Sequence, residues 1–461
     1  MIDTQSLKNK ILDLAIRGKL TRQLPDDGTA EELYEKIQEE KQALVEAGKI
    51  KKEKPLKEIE KDEVPFEIPE NWKWVHWGNL AESIQYGYNA PAKESGRTKM
   101  VRISDIQDNE VMWDNVPFCD ISEDEIKGYL LHENDILFAR TGHTVGKSYI
   151  VRNVPPEAIF AGYLIRTSYS KKLCPKYMKF YMESNLYWHQ LKSGTIATAQ
   201  PNCNGKTLSK MVLPLPPMFE QERIVTVVEK LFAEIATIEK LQTQYAADAE
   251  ILKSKLIDAA IQGKLTEQLP SDGTAEELYQ QIQTEKQALI SAGKIKKEKP
   301  LKEIEEDEIP FEIPESWKWV RLEQVTYSVG NKTNQIKTND VKPDGEIPVV
   351  SQGQKMIDGY CDEKEKIITD IPLVMFGDHT RIVKYIDFPF VIGADGTKFH
   401  HCISVNPKYF YYWMLHATAV LRDKGYARHY SLLKKQLIPL PPMAEQKRIV
   451  EVIERLFKVF A

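Results

Sequence analysis

The stretch Asp135–Val151, DILFARTGHTVGKSYIV, ends a hydrophobic run in Gly-Lys-Ser. A phosphate-binding loop needs G-x-x-x-x-G-K-[ST] between a strand and a helix, so that backbone N–H groups wrap the phosphates. Here Gly142 and Gly146 enclose three residues, one too few. The chain then continues as a β-rich run and meets Pro155-Pro156, which stops a helix from starting. The spacing therefore predicts two strands joined by a polar loop that displays Arg140, Thr141, His143 and Lys147. Other chemistry is missing too. None of the three Pro-Pro pairs stands in the [DN]-P-P-[YF] setting that an adenine-N6 methyltransferase uses to hold its base, and no Gly-x-Gly loop marks a nucleotide cofactor. Glu125–Lys127 is the kind of E-x-K pair that a chain with 28% charged residues contains by chance. His400-His401 lacks further ligands at metal spacing. Nothing forms a catalytic constellation, and no metal is expected.

The polar loops point elsewhere. They hold Tyr86, Tyr88 and Asn89; then Arg140, Thr141, His143 and Lys147; then Gln200, Asn202, Asn204 and Lys206. Further on come Asn331 and Lys332, His379 and Arg381, Lys398, and Arg428, His429 and Tyr430. Arg and Lys suit guanine and phosphate, Asn and Gln suit adenine, and hydroxyls suit phosphate, so these are candidate DNA-binding residues. The same residue types also populate ordinary polar loops.

The elements that carry these loops are organised by repetition. Residues 17–75 and 262–320 match at 48 of 59 positions with an offset of 245. LPLPPMFEQERIVTVVEKLF (213–232) matches IPLPPMAEQKRIVEVIERLF (438–457) with an offset of 225. Between the repeats lie two inserts that barely resemble each other, roughly 76–212 and 321–437. This is a duplicated half-molecule, since a period of 245 is too long for a solenoid. The predicted segments are 1–63 (terminal frame), 64–218 (first insert domain), 219–308 (central frame), 309–443 (second insert domain) and 444–461 (terminal frame).

From Ile224 apolar residues recur at alternating spacings of three and four, through Val228, Leu231, Ile235, Ile238, Leu252 and Leu256. The one break is Gln242. Over five heptads this predicts a coiled-coil helix, about 54 Å long for 36 residues. Its second copy is cut in two, with Ile449, Ile453, Leu456 and Phe460 at the C-terminus and Leu7, Ile11 and Leu14 at the N-terminus. The seam does not name its partner, so a homodimer stands as the alternative. Residues 29–47 and 274–292 predict a shorter helix, and the charged run after it reads as a solvated or partner-facing strap. Each insert predicts an α+β domain with one helix, near 175–191 and 407–421.

Net charge is −5, with +2 in 77–210 (16 Lys/Arg, 14 Asp/Glu) and +3 in 321–437 (16 and 13), leaving −10 elsewhere. These margins permit anionic partners without demanding them. No apolar run reaches a membrane span and no signal peptide is read. Five scattered cysteines without C-x-x-C suit a reducing cytoplasm.

The paired LPLPPMFEQERIV and IPLPPMAEQKRIV, the WKWV before each insert, and RISDIQ with ILFARTGHTVGKSYIV resemble the specificity subunit of Type I restriction-modification enzymes over essentially the whole chain. The second insert is more divergent, with LVMFGDHTRIVKY in place of ILFARTGHTVGKSY. The resemblance implies two globular target-recognition domains separated by long antiparallel coiled-coil helices, with pseudo-two-fold, circular arrangement. It also implies a non-catalytic chain that reads a bipartite, asymmetric double-stranded DNA target and docks two methyltransferase subunits, with restriction subunits joining in the full enzyme. No cofactor is then expected on this chain; S-adenosylmethionine belongs to the methyltransferase partner, and ATP and Mg to the restriction partner. A protein-binding scaffold with two reader domains is the alternative reading.

Overall fold

The computed structural model describes residues 1–60, 63–107, 109–194, 203–297, 299–393, 396–422, 425 and 427–460. The chain divides into two compact units, Met1–Thr243 and Gln244–Ala461. The long helix Met218–Ile261 contributes its first part to one unit and the remainder to the other.

In the first unit the N-terminal helix Thr4–Ile16 lies antiparallel to the long helix. Lys8 pairs with Glu239 at 2.8 Å, and the Gln242 side chain accepts from the Ile2 N–H at 2.5 Å. The polar break in the apolar repeat is thus a cap for the chain start. In the second unit Met443–Val459 lies antiparallel to the later part of the long helix: Tyr245 reaches the Val459 carbonyl and Lys253 sits 5.8 Å from the Phe457 ring centre.

Of the seam residues, Ile224, Val228, Ile235, Ile449 and Ile453 are buried, and Ile11, Leu14, Leu231, Ile238, Leu256, Leu456 and Phe460 are half-buried. Leu7 and Leu252 are exposed, at 40% and 43%. The residues that the N-terminal helix buries are Leu12, Ala15 and Ile16. This helix packs on the insert's helices as well as on the long helix, so its apolar face is wider than a two-helix seam.

The repeated motifs become one repeated bond network. Glu220 is fully buried and accepts from Trp72 Nε1 at 2.8 Å, Thr21 at 3.0 Å and Gln23 at 2.8 Å. Glu445 is equally buried and accepts from Trp317 at 2.8 Å, Thr266 at 3.0 Å and Gln268 at 2.9 Å. Arg223 pairs with Asp27 at 2.5 Å, and Arg448 with Asp272 at 2.6 Å. Gln221 accepts from the Cys174 N–H and Gln446 from the Asn406 N–H, which ties each frame to its insert. The glycine before each network is forced by close approach: a Cβ at Gly18 would lie 2.4 Å from Pro69, and one at Gly263 would lie 2.5 Å from Pro314. Both glycines also have positive φ.

Each insert begins and ends on one antiparallel pair of strands. Lys73–His76 pairs with Val212–Leu215, and Lys318–Arg321 with Leu437–Leu440, placing Trp74 opposite Pro214 and Trp319 opposite Pro439. A two-stranded pair leaves free edges, so the prolines remove no needed donor. This explains why WKWV and L/I-P-L/I-P bracket both inserts.

Inside, the dissimilar sequences build the same topology. The first insert has a four-stranded antiparallel sheet in the order Ala81–Tyr86, Leu164–Tyr169, Ile136–Ala139, Ser148–Ile150. The second has Thr326–Val329, Thr397–Cys402, Leu373–Gly377, Val383–Ile386 in the same order. Each also has a three-stranded sheet with one parallel pair. The helix expected near 175–191 is two helices, Pro175–Glu183 and Asn185–Gly194. Ser184 between them has extended backbone, and its hydroxyl caps the second helix by accepting from the Tyr187 N–H. In the second insert a single helix runs Pro407–Val420. Among the described residues no helix is long and apolar enough to cross a membrane.

Candidate nucleic-acid interface

In the first unit three of the polar loops converge at one end of the four-stranded sheet. The strand Ile136–Ala139 delivers Arg140, and Ala81–Tyr86 delivers Tyr86. The helix Gly205–Lys210 brings its N-terminus to both: Cys203 N–H donates to the Arg140 carbonyl at 2.9 Å, and Gly205 N–H donates to the Tyr86 hydroxyl at 3.0 Å. The Arg140 guanidinium carbon lies 4.7 Å from the centre of the Tyr86 ring, a stacked cation–π arrangement. Arg140 Nε is buried without a hydrogen-bond partner, an uncompensated cost of the kind found at functional positions. Tyr86 and Tyr163 are exposed beside it, and the Arg140 N–H donates to the Tyr163 carbonyl at 3.1 Å. Tyr163 carries no sequence signal; only the fold places it there.

The other candidates of this insert play varied parts. The pair flanking the nucleotide-like motif forms the antiparallel strands Ile136–Ala139 and Ser148–Ile150, joined through the turn Gly142–Thr144, with no helix after the Gly-Lys-Ser. Thr141 opens that turn, and Lys147 is exposed at its end. Tyr88 and Asn89 are zipped onto residues 160–162, with the Tyr88 N–H donating to the Phe160 carbonyl at 2.8 Å. A Cβ at Gly87 would sit 2.2 Å from the Ala161 carbonyl oxygen, so this close approach requires glycine. Asn204 accepts from the Thr207 N–H at 3.0 Å as a helix cap, while Lys206 is exposed. Gln200, Asn202 and the His143 side chain lie outside the described part of the structure.

The second unit repeats the scaffold with other side chains. Asp378 follows the strand Leu373–Gly377, where Arg140 follows Ile136–Ala139. Its carbonyl accepts the His429 N–H at 2.8 Å, the counterpart of the Cys203 bond to Arg140. Its carboxylate accepts the Tyr430 N–H at 2.7 Å. His429 is fully buried, with Nδ1 3.2 Å from the Asp378 carbonyl, so it braces the loop from within and is withdrawn from the exposed candidates. Lys398 Nζ lies 5.5 Å from the Tyr430 ring centre. The His379 N–H donates to Gln352, which is a further loop organiser absent from the sequence-based set. Arg381 has φ 60°, a left-handed backbone for a bulky residue, and its guanidinium donates to the Leu421 carbonyl at 3.4 Å. Asn331 caps the turn Lys332–Asn334, accepting from the Thr333 N–H at 2.7 Å. Lys332 and Arg428 are exposed.

Behind these rims Asp135, Arg166 and His400 are buried. Burial pushes the Asp135 carboxyl up and the Arg166 guanidinium down, even with the two 3.7 Å apart. Burial, then the nearby Lys434 and Lys398, hold the His400 imidazole down to about 3, so it is neutral. Among the described residues no group of three or more His, Cys, Asp or Glu is placed to hold a metal ion. The loops of each unit bring together stacked, hydrogen-bonding and cationic side chains at strand ends, a surface suited to reading a polyanion's edges.

Comparison with known proteins places this architecture. The family described as Type I restriction modification DNA specificity domain matches residues 69–245 and 314–461. The chain is similar to the Type I restriction enzyme EcoAI specificity subunit of Escherichia coli, with 27% identity covering 98% of this chain and 89% of the relative. It is 30% identical to the EcoEI specificity subunit of Escherichia coli over 70% of this chain and 61% of that one. The HsdS subunit of Thermoanaerobacter tengcongensis shares the fold at a TM-score of 0.50, with 17% identity over 86% of this chain and 91% of that one. A chain of another type I restriction-modification system does so at 0.56, with 18% identity over 86% and 92%. The chain belongs to the Type I restriction-modification DNA specificity family. Its role is to give such a system its DNA sequence specificity.

Proposed function

We propose that each insert reads one half of a bipartite, asymmetric DNA target, that the two frames dock two methyltransferase subunits, and that the chain itself catalyses nothing. One observation carries this reading. The frames are duplicated bond for bond, from Glu220 and Arg223 to Glu445 and Arg448, whereas the loop ends they support differ, Arg140 with Tyr86 against Asp378 with Tyr430. Equal frames suit two copies of one partner. Unequal loop ends on one scaffold suit two different half-sites. Among the described residues, the exposed candidates in this reading are Tyr86, Asn89, Lys147 and Lys206 in one half and Asn331, Lys332 and Arg428 in the other, with Arg140, Lys398 and Tyr430 half-buried beside them. S-adenosylmethionine then belongs to the methyltransferase subunits, and ATP and Mg to any restriction subunits that join. A cytoplasmic setting fits five cysteines that are all buried thiols.

The test is a methylation assay. The lone chain with S-adenosylmethionine should modify no DNA, and adding the cognate methyltransferase subunit should give methylation confined to one two-part sequence. Methylation by the lone chain would contradict the assignment.

A further inference from the structure

The two frame copies differ at 11 of 59 positions, and the differences are placed unevenly. On the exposed face of the short helix they include Glu35 against Gln280, Lys36 against Gln281, Glu39 against Thr284 and Glu46 against Ser291. The next segment, 47–60 in one copy and 292–305 in the other, is identical throughout. Its sequence is AGKIKKEKPLKEIE, and nearly all of its described residues are exposed. Burial therefore does not explain the identity.

Nor does attachment to the domain beneath. His76 Nε2 lies 3.1 Å from the Lys57 carbonyl, and the Arg321 Nε–H donates to the Lys302 carbonyl at 3.1 Å. These anchors occupy equivalent positions yet differ in residue type, while the strap they hold does not change. Between 51 and 59 no backbone–backbone hydrogen bond is made among the described residues. In the first copy the strap forms no helix or strand over 51–60, and with the short helix it lines a cleft of about 360 Å³ whose other residues include Gln38, Lys41 and Glu82.

We infer that this strap is a docking segment for the partner common to both halves, and that the partner presents an acidic face with an exposed strand edge. From Lys49 to Lys57 the strap carries five lysines and one glutamate. Ile50, Leu56 and Ile59 punctuate it as half-buried apolar points. Its backbone, which has no backbone partner between 51 and 59 among the described residues, can add to a sheet edge, with the lysines supplying register and attraction. The interleaved Glu53 and the nearby Glu58 and Glu60 would face phosphates at a cost, which favours protein over DNA. The inference rests on the reading that two methyltransferase subunits dock on the frames.

The experiment reverses Lys51, Lys52 and Lys54 to Glu in one strap, Lys296, Lys297 and Lys299 to Glu in the other, and all six together. Each chain is mixed with the cognate methyltransferase subunit and its mass measured by light scattering. None of the six makes a side-chain ion pair among the described residues, so thermal unfolding should match that of the parent. The expected result is two subunits on the parent, one on either single-strap variant and none on the six-fold variant at the same concentration. Two subunits on the six-fold variant, with the parent also binding two, would overturn the strap while leaving the docking reading intact. Full subunit binding with lost DNA affinity would overturn it in favour of a phosphate contact. A parent chain that takes up no subunit would sink both.

Discussion

At the scale of the residue, Arg140 and Asp378 show how one scaffold carries two chemistries. Both come directly after the second-from-edge strand of the larger sheet, and both carbonyls accept from the loop that closes the domain. Arg140 stacks on Tyr86, and a planar guanidinium with spare donors suits a guanine edge or a phosphate. Arg140→Ala in the assembled complex should weaken target binding by about 1–3 kcal/mol and relax selectivity in one half-site only. Fluorescence anisotropy on duplexes varied one half at a time checks this; unchanged affinity in Arg140→Ala and Lys147→Ala would remove this loop from the interface. The residue types of the loops are legible in the sequence, but their roles are not. His429, Asn204 and Asn331 have the chemistry of base readers, yet they brace a loop, cap a helix and cap a turn. Which side of a loop a polar residue faces depends on packing partners far along the chain, and no local pattern records it.

His400 makes a second prediction at this scale. It is buried beside Phe410 and Tyr430, with Lys398 and Lys434 as the nearby charges, and its Nε2 has no hydrogen-bond partner. Its folded value of about 3 lies below the ordinary 6.5, so protonation favours the unfolded chain. The stability this contributes is whole above about pH 6.5 and is lost as pH falls toward 3. His400→Leu should flatten that loss relative to the parent, read as thermal melts of the two chains across this window. Parallel pH profiles would show that the imidazole does not titrate between the two states.

At the scale of the element, the frame is held by buried carboxylates that each satisfy three donors. Glu220→Ala would strand the donors of Trp72, Thr21 and Gln23, at a cost of about 2–4 kcal/mol. Glu445→Ala should cost the same within error, since it strands the same three residue types. Urea unfolding monitored by tryptophan fluorescence measures both; a large difference would mean the duplicated bonds are not energetically equivalent. The duplication and the long helix are legible because repeat identity and apolar spacing survive in sequence. The seam is legible in part. Leu7 and Leu252 fit the spacing but stay exposed, while Leu12 and Ala15 are buried because the helix also packs on the insert. The common topology of the two inserts is hidden, because a four-stranded sheet constrains alternation and burial far more than identity.

At the scale of the whole molecule, the proposed reading makes specificity modular for a geometric reason. Each insert leaves and re-enters its frame through one antiparallel strand pair, Lys73–His76 with Val212–Leu215 or Lys318–Arg321 with Leu437–Leu440. Replacing the residues between leaves the Glu220–Arg223 and Glu445–Arg448 networks of the frames untouched. Exchange of residues 76–212 for another family member's insert should change one half of the recognised sequence and preserve the other half. The proposed reading is that one chain reads two different half-sites through two heads on equal frames. The most direct measurement of this is to co-express it with its methyltransferase subunit and map methylated adenines across the host DNA by single-molecule sequencing. The expected result is a single two-part motif with unequal halves and a fixed gap. A stable complex whose methylation shows a continuous motif, a palindrome or no motif would contradict it.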